Sequence, residues 1–366
     1  MKKSVLSLLL VMVMALLLIA SGCAGRTDEK ETKEEPETMT ERVIEEVTPE
    51  PEESKEEPAN EALEDVDISV AALKGPTAMG MVKLMEESEG DLTESNHYTF
   101  TISAAPDEIT PAIVQGKVDI AAVPANLAAV LSKKTEGGVK VIAINTLGVL
   151  YIVENGETIN SVEDLKGKTI YASGKGSTPE YALNYMLKSN GIDPDSDVTI
   201  EFKAEHTECV SALEADPDGV AMLPQPFVTV AQLSNEKTRI ALDMTKEWEE
   251  ASKANGSSAS LVTGVVIARS EFIDEHPEAV KLFLDQYEKS VAFTNENTEE
   301  AAGLIESYDI IKAAVAKKAI PYCNIVCIKG SDMKEKLSGY LGELYNQNPE
   351  AVGGAEPSDE FYYIAE

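Results

Sequence analysis

The feature that most constrains the fold is an alternation of short apolar runs with helix-like stretches, which begins at about residue 66. The runs DISVAAL, YTFTISA, VDIAAV and VKVIAI are separated by stretches such as PTAMGMVKLMEE and ANLAAVLSKK. Short apolar runs that alternate with amphipathic stretches are typical of βαβ units. The sequence therefore predicts an α/β fold with mainly parallel sheets flanked by helices.

The same alternation then occurs a second time, in KTIYAS, DVTIEFKA, GVAMLP and RIALDM. VDIAAVPANLAAV and GVAMLPQPFVTVA resemble each other, because each places a proline between a strand and a helix. A chain of 366 residues is too long for one ordinary core, so we expect two lobes. The extended segments NTLGVLYIVE and LVTGVVIAR would connect them, with lobe 1 at 66–147 and 265–366 and lobe 2 at 148–264.

After residue 269 the sequence becomes mainly helical. In PEAVKLFLDQYEKSVAF the large apolar residues recur at the spacing of one helix face. They are Val280, Phe283, Leu284, Tyr287 and Val291. This pattern predicts an amphipathic helix within a helical C-terminal region.

The first 22 residues have the pattern of an export signal. Lys2 and Lys3 precede an apolar run that is too short to span a membrane, and small residues follow it before Cys23. A cysteine directly after ASG resembles the bacterial lipoprotein signal, in which that cysteine is lipidated. An uncleaved anchor helix is the alternative, and either reading places the rest of the chain outside the cell.

The segment 23–65 is predicted to be a disordered acidic tether. Residues 24–65 contain 17 acidic and 5 basic residues with no aromatic residue, so they cannot bury enough apolar surface to order themselves. A calcium-binding acidic tail is the alternative. The whole chain has a formal charge of -34, which argues against nucleic acid or an anionic membrane surface as a partner.

Three further cysteines, Cys209, Cys323 and Cys327, are expected to be small buried hydrophobic residues. A pair between Cys209 and one of the others remains open. His206 and Cys209 have helical spacing, but two ligands do not make a zinc site, and a core or capping role is expected. No nucleophile elbow and no zinc helix motif occurs, so the sequence supports neither catalysis nor a metal or cofactor.

Ligands of open parallel sheets bind beyond the carboxyl ends of the strands. The loop SGKGSTPE follows one such strand, but it matches neither the phosphate loop nor the dinucleotide fingerprint. Its glycines permit a tight turn, Ser177 or Thr178 can cap the next helix, and Glu180 complements the helix dipole. Helix capping does not explain Lys175 between two glycines, and we interpret the loop as a ligand-facing helix start.

Together these blocks resemble the solute-binding lipoproteins of ABC importers, in the group that includes nitrate, sulfonate, taurine and thiamine-pyrimidine-precursor binders. The blocks that carry the resemblance are AALKGPTAMGMVKLM, APDEITPAIVQGKVDIAAVPANLAAVL, NTLGVLYIVE, SVEDLKGKTIYASGKGSTPEYALNYML, AMLPQPFVTVA and TGVVIARSEFIDEHPEAVKLFL. The resemblance implies a two-lobed fold of the type II periplasmic-binding-protein kind. It also implies a monomer that closes around one small solute and delivers it to permease and ATPase subunits.

The pocket loops implied by the resemblance give the candidate ligand-binding residues. They are Lys74, Gly75, Pro76, Thr77, Ala105, Asp107, Pro124, Asn126, Gly174, Lys175, Gly176, Ser177, Thr178, Tyr181, Pro224 and Gln225. The Cys-rich motif of the pyrimidine-synthesising relatives is absent, which argues against their enzymatic activity. A ligand-sensing lipoprotein without a transporter, or an enzyme on the same fold, are the alternatives.

The residue types at these loops limit the ligand only loosely. Neither arginine of the folded part lies at a strand-end loop, which argues against a bidentate clamp on a carboxylate. Lys74, Lys175 and backbone amides could hold an oxyanion. Equally, Met79, Tyr181, Phe227 and Trp248 could pack on a flat neutral heterocycle. We expect a small organic solute.

Overall fold

A computed structural model describes residues 64–104 and 106–364, without the side chains of Pro106 and Asp107. The predicted signal segment, Cys23 and nearly all of the predicted tether lie outside the described residues. Within that range the eleven strands are β1 Val66–Leu73, β2 Asn96–Ser103, β3 Ile120–Pro124, β4 Val139–Leu147, β5 Leu150–Asn155, β6 Thr169–Ser173, β7 Thr199–Lys203, β8 Val220–Pro224, β9 Thr238–Asp243, β10 Val262–Arg269 and β11 Ile325–Ile328.

Thirteen α-helices occur in the same part of the chain. They are α1 Pro76–Met79, α2 Val82–Glu89, α3 Pro106–Val114, α4 Ala125–Lys134, α5 Thr178–Ser189, α6 His206–Ala215, α7 Phe227–Ser234, α8 Met244–Ala254, α9 Ser270–Glu275, α10 Pro277–Glu296, α11 Thr298–Ser307, α12 Ala313–Ala319 and α13 Gly330–Gln347. None of the described helices is long and apolar enough to cross a membrane.

The strands form two sheets with the same internal order. The first sheet runs β11-β4-β10-β3-β1-β2 and the second runs β7-β6-β8-β5-β9. In each, three parallel strands are followed by one antiparallel strand, which is β10 in the first sheet and β5 in the second. The prediction of a two-lobed α/β fold is confirmed, but the sheets are mixed rather than mainly parallel, because β10 and β5 each pair antiparallel with both of their neighbours. We call the sheets with their helices lobe 1 and lobe 2.

The chain passes between the lobes at two places. β4 of lobe 1 ends at Leu147 and β5 of lobe 2 begins at Leu150, and the return occurs between α8 and β10. The antiparallel strand of each lobe is thus the first strand after a crossing. The lobe boundaries expected at residues 147/148 and 264/265 fall beside these crossings and stay a prediction.

Helix α10 has the apolar stripe that its sequence predicts. Val280, Phe283, Leu284, Tyr287 and Val291 are all buried against the core of lobe 1. Helix α13 buries Leu337, Leu341 and Leu344 in a core that includes residues of both sheets. This last helix therefore packs on both lobes.

Candidate functional site

Two adjoining cavities lie where strands of the two sheets end. The first, of about 280 Å³, we call the interlobe cavity because both lobes line it. Lobe 1 contributes Pro124, Asn126 and Thr263, and the chain of lobe 2 contributes Val149, Leu150, Ser177, Thr178, Pro179, His206 and Pro224. Their position beyond the strand ends is where ligands of open α/β sheets bind.

The second cavity, of about 400 Å³, we call the lobe 2 cavity. Its lining residues are Ser173, Gly174, Ser177, Pro179, Ala204, Glu205, His206, Thr207 and Phe227. Ser177, Pro179 and His206 line both cavities, so the two spaces adjoin at these residues. Together they have the size of a site for a small molecule.

The two proline-terminated strands hold equivalent positions on either side of the interlobe cavity. Pro124 pairs with Gly264 of β10, and Pro224 pairs with Leu150 of β5. Gly264 leaves no room for a side chain, because a Cβ atom there would lie 2.5 Å from Asn145 Oδ1. The internal repeat seen in the sequence thus places Pro124 and Pro224 at one site.

The glycine-rich loop before α5 is held by its own hydrogen bonds. Gly174 and Gly176 both have a φ of 75°, which a side chain would strain. The Ser177 hydroxyl donates to the Gly174 carbonyl at 2.6 Å, and the Gly176 amide donates to the Glu180 carboxylate at 2.5 Å. The loop therefore brings Ser177 and Thr178 to the cavity wall in a fixed conformation.

Both candidate lysines are engaged with other groups. The Lys175 ammonium lies 5.7 Å from the centroid of the Phe202 ring, and the Lys74 ammonium pairs with Asp309 at 2.7 Å. Neither side chain is among those that line the two cavities. Hence the lining of these cavities contains no lysine or arginine, and its hydrogen-bonding groups are mostly neutral.

The candidate residues after β1 lie next to the first crossing. Gly75 has a φ of 117°, Pro76 begins α1, and Thr77 is buried. The Thr77 hydroxyl donates to the Leu73 carbonyl at 2.9 Å, and the Thr77 carbonyl accepts from Asn145 Nδ2 at 3.2 Å. These bonds join the α1 start to β4. Ala105 and the Asp107 side chain lie outside the described residues.

Two other candidates are buried, and their side chains form hydrogen bonds within the protein. The Tyr181 hydroxyl donates to the Gly176 carbonyl at 3.1 Å and accepts from Asn348 Nδ2 at 2.8 Å. Gln225 Oε1 accepts from the Thr229 hydroxyl at 2.9 Å, whereas its buried Nε2 has no partner among the described residues. Neither residue is among the lining residues of the two cavities.

The four apolar candidates divide into core residues and one residue that lines a cavity. Met79 and Trp248 are both 1% exposed or less and belong to the cores. Phe227 alone of the four lines a described cavity, where its ring lies 5.0 Å from that of His206.

His206 is the cavity residue that the sequence interpretation assigned to a core or capping role. It is the first residue of α6, and its Nδ1 lies 2.5 Å from the hydroxyl oxygen of Ser173 at the end of β6. Burial lowers the pKa of the imidazole, so the neutral ring is favoured. Its position at a strand-to-helix junction was the signal available in the sequence, because most of the other cavity-lining residues also lie at such junctions.

Two of the three cysteines are buried as predicted, and Cys327 is partly buried against the core of lobe 1. Cys209, Cys323 and Cys327 are all free thiols, and the first two are buried. Burial raises the thiol pKa of Cys209, and it raises that of Cys323 to about 12. Among the described residues, no group of three or more histidine, cysteine, aspartate or glutamate side chains could hold a metal ion.

Comparison with known proteins gives a family and a fold. A family model described as NMT1/THI5 like matches residues 100–301. A Bacillus subtilis (strain 168) protein, whose name assigns it to the binding of aliphatic sulfonates, is 29% identical over 154 residues. That match covers 42% of this chain and 42% of the relative, so the chain spans about two fifths of the curated relative's length.

Solved structures of similar fold cover nearly all of the described chain. An ABC transporter structure from Parabacteroides distasonis has a TM-score of 0.69 at 21% identity and covers 82% of this chain and 100% of that one. The periplasmic aliphatic sulphonate binding protein of Escherichia coli has a TM-score of 0.61 at 14% identity, with coverage of 82% and 94%. The alkanesulfonate-binding protein of Xanthomonas axonopodis pv. citri, bound to MOPS, has a TM-score of 0.57 at 13% identity, with coverage of 83% and 100%.

Proposed function

Because the chain belongs to the NMT1/THI5-like family, we propose that it is the solute-binding lipoprotein of an ABC importer. It would bind a small organic solute between its lobes and deliver that solute to a permease driven by an ATPase. The observation that carries the proposal is the interlobe cavity, which receives lining residues from both lobes. A ligand held there contacts both lobes at once, so its binding favours their closure.

The lining chemistry supports a small solute held by hydrogen bonds and apolar contact. Asn126, Ser177, Thr178 and Thr263 supply neutral polar groups, and Leu150 is among the apolar ones. The helices α4, α5 and α6 all begin at the cavities, and helix N-termini present free amides with a partial positive charge. An accepting group such as a sulfonate, phosphate or carbonyl oxygen fits that environment without a lysine or arginine.

The extended ligand site that we propose keeps the full candidate set. Pro124, Asn126, Ser177, Thr178 and Pro224 line the interlobe cavity. Gly174 and Gly176 shape its glycine-rich loop. The candidates Lys74, Gly75, Pro76, Thr77, Ala105 and Asp107 would complete the site from lobe 1. Lys175, Tyr181 and Gln225 would support that site through their contacts with Phe202, the Gly176 carbonyl and Thr229.

We further propose that Cys23 carries a lipid that anchors the protein to the outer face of the cell membrane. The acidic segment after it would then act as a tether between the membrane and the binding lobes. In this arrangement the protein works as a monomer beside its permease and uses no cofactor. Nucleic acid is not a partner in this proposal, since the chain has a charge of -34.

Thermal unfolding against a panel of solutes tests the proposal. The panel contains MOPS, ethanesulfonate, taurine, aminopyrimidines, flavins and inorganic anions. A ligand present at a hundred times its dissociation constant adds about 2.7 kcal/mol of stability, which raises the unfolding temperature by a few degrees. Recovery of the solute unchanged distinguishes binding from catalysis, and a converted product would overturn the proposal in favour of an enzyme.

Asn126→Leu supplies a matched variant for this experiment. The Asn126 side chain is half-buried at the cavity and makes no hydrogen bond to the described residues, so its loss should not destabilise the empty protein. We expect the ligand-induced shift to fall sharply in Asn126→Leu and to persist in the surface control Asn160→Leu. Equal shifts in both variants would place the solute elsewhere.

A further inference from the structure

Ser173 and His206 line the lobe 2 cavity, and the buried Cys209 lies about one turn further along α6. None of the three is among the candidate ligand-binding residues. Ser173 is 3% exposed and Cys209 is fully buried. The Ser173 hydroxyl oxygen lies 2.5 Å from His206 Nδ1. His206 also lines both cavities, so one edge of its ring is tied to Ser173 while the residue borders the solute space.

The contact between Ser173 and His206 pairs one hydroxyl group with one ring nitrogen. An imidazole nitrogen is a good acceptor for a hydroxyl proton. A neutral ring that accepts from Ser173 at Nδ1 carries its own proton on Nε2.

We propose that His206 is a ligand-binding residue whose tautomer is set by Ser173, and that its Nε2–H donates to an acceptor atom of the bound solute. Ser173 is then a positioning residue, since it acts on the solute only through the imidazole. This inference rests on the proposed function and specifies it. The solute must present a sulfonyl, phosphoryl, carbonyl or ring-nitrogen acceptor at this point, and an ammonium group there is disfavoured.

The titratable groups around α6 are bonded to partners other than the imidazole. In the part of the chain that the structure describes, no carboxylate forms a hydrogen bond or ion pair with His206. The titratable side chains on β5, β6 and β7, which pack against α6, have partners of their own. These are Tyr151 with the Tyr322 carbonyl, Glu154 with Arg239, Tyr171 with Asp216, and Lys203 with Glu201.

Groups on α6 and on the loops nearest to it complete this environment. Lys175 lies over Phe202, Glu180 accepts from the Gly176 amide, and Glu208 accepts from the Ala204 amide. Glu205 is exposed at the rim of the lobe 2 cavity, and α7 and β8 carry no titratable side chain. Since no acidic side chain among the described residues hydrogen-bonds to His206, its neutral imidazole is available to donate to a solute.

Nitrogen-15 NMR of the full chain labelled at histidine tests the tautomer directly. The chain has only three histidines, so the signal of His206 is assigned by its disappearance in His206→Gln. We expect Nδ1 to have the shift of an unprotonated acceptor and Nε2 that of a protonated donor at neutral pH. In Ser173→Ala this preference should weaken, and in Ser173→Thr, which retains the hydroxyl, it should return. A proton on Nδ1 in the wild type would overturn the inference.

Titration calorimetry with MOPS connects the tautomer to binding. We expect Ser173→Ala and His206→Leu each to weaken binding about tenfold, the loss typical of one hydrogen bond. Ser173→Thr should bind more tightly than Ser173→Ala, and the control Ser211→Ala, on the exposed side of α6, should bind like the wild type. Equal affinities of Ser173→Ala, Ser173→Thr and wild type would overturn the positioning role, whatever the variants do to stability.

The two proposals fail in different ways. If the wild type binds neither MOPS nor any other member of the panel, the proposed function fails, while the spectra still decide the tautomer. If the wild type binds MOPS with unchanged affinity in His206→Leu, the solute site stands and the role of His206 is refuted.

Discussion

Gly264 is a residue whose surroundings leave no room for a side chain. It lies in β10, where an added Cβ would be 2.5 Å from Asn145 Oδ1 and 2.6 Å from Thr77 Cγ2. Both neighbours are buried and cannot easily move aside. We expect Gly264→Ala to lower the free energy of unfolding by about 1–3 kcal/mol through overpacking, as measured by urea denaturation.

The same glycine-to-alanine substitution should have the opposite effect on stability in helix α11. Gly303 is exposed in the middle of that helix, and a Cβ there would meet nothing within 4 Å. Gly303→Ala should therefore stabilise by about 0.5–1 kcal/mol, because alanine loses less backbone entropy. Similar effects at both glycines would contradict the close approach at Gly264.

Glu154 is the charged residue whose environment has the clearest consequence for pH. Its side chain is 2% exposed. Burial alone would raise the pKa of its carboxyl, but hydrogen bonds from the Ile159 and Thr158 amides and the Thr158 hydroxyl, together with Arg239, lower the pKa below its usual 4.5. A depressed pKa in the folded state means that the ionised carboxylate stabilises the fold above the unfolded pKa. This stability is lost as the pH falls through the folded value.

We accordingly expect Glu154→Gln to lower the free energy of unfolding by about 2 kcal/mol at pH 7. The difference from the wild type should begin to narrow near pH 4.5, where the carboxyl of the unfolded chain takes up a proton, and should be smallest once the pH falls below the lowered pKa of the folded carboxyl. Denaturant unfolding at a series of pH values measures this. Glu157→Gln, at an exposed position in the same turn, is the control and should change stability little at any pH. If the difference in the free energy of unfolding between wild type and Glu154→Gln does not change with pH, ionisation of Glu154 is not the source of the stabilisation.

At the scale of elements, the sequence was most informative where a repeating pattern covers a whole element. The stripe of α10 and the strands that end at Pro124 and Pro224 are local patterns, and each is present as its sequence indicates. The antiparallel insertion of β10 between β3 and β4 could not be predicted in this way. It depends on pairing between segments more than a hundred residues apart, and periodicity carries no information on such partners.

Helix α13 offers a test of how strongly the last element holds the lobes. The Tyr340 ring lies 5.6 Å from the Trp248 ring of α8, and Gln347 Nε2 donates to the Tyr181 carbonyl of α5 at 3.2 Å. Leu341 is fully buried beneath the same helix. We expect Leu341→Ala to cost about 2–5 kcal/mol in urea unfolding, from lost burial and the cavity left behind. Ser338→Ala, on the exposed side, should stay within about 0.5 kcal/mol; a similar loss there would mean that α13 is not anchored by its apolar face.

At the scale of the whole molecule, the site is made by loops that the chain order keeps apart. The sequence could place Ser177 and Pro224 at strand ends, because the strand-to-helix junctions are local signals. It could not show that Lys74 pairs with Asp309 at 2.7 Å or that Ser173 meets His206, since those contacts depend on how distant segments pack. The side-chain contacts in the structure are therefore needed to distinguish the residues that line the cavities from those that support them.

Tyr151 gives the last prediction, because it bonds across the two lobes. Its hydroxyl, on β5 of lobe 2, donates at 2.7 Å to the carbonyl of Tyr322, which follows α12 on the lobe 1 side, and the two rings meet edge to face. Tyr151→Phe removes one hydrogen bond, worth about 1 kcal/mol, between the lobes. We expect this loss to favour the open arrangement, so that small-angle X-ray scattering of residues 64–366 gives a larger radius of gyration and the solute binds more weakly.

Tyr171→Phe is the matched control, because the Tyr171 hydroxyl donates to Asp216 at 3.1 Å within lobe 2. It should cost no more stability than Tyr151→Phe while leaving the radius of gyration unchanged. If Tyr151→Phe also leaves the radius of gyration unchanged, the contact to Tyr322 belongs to a rigid connection that persists when the lobes move. If it increases the radius and the solute then restores the wild-type value, the hydrogen bond contributes to closure. Ligand binding and lobe contact would then stabilise the same closed state.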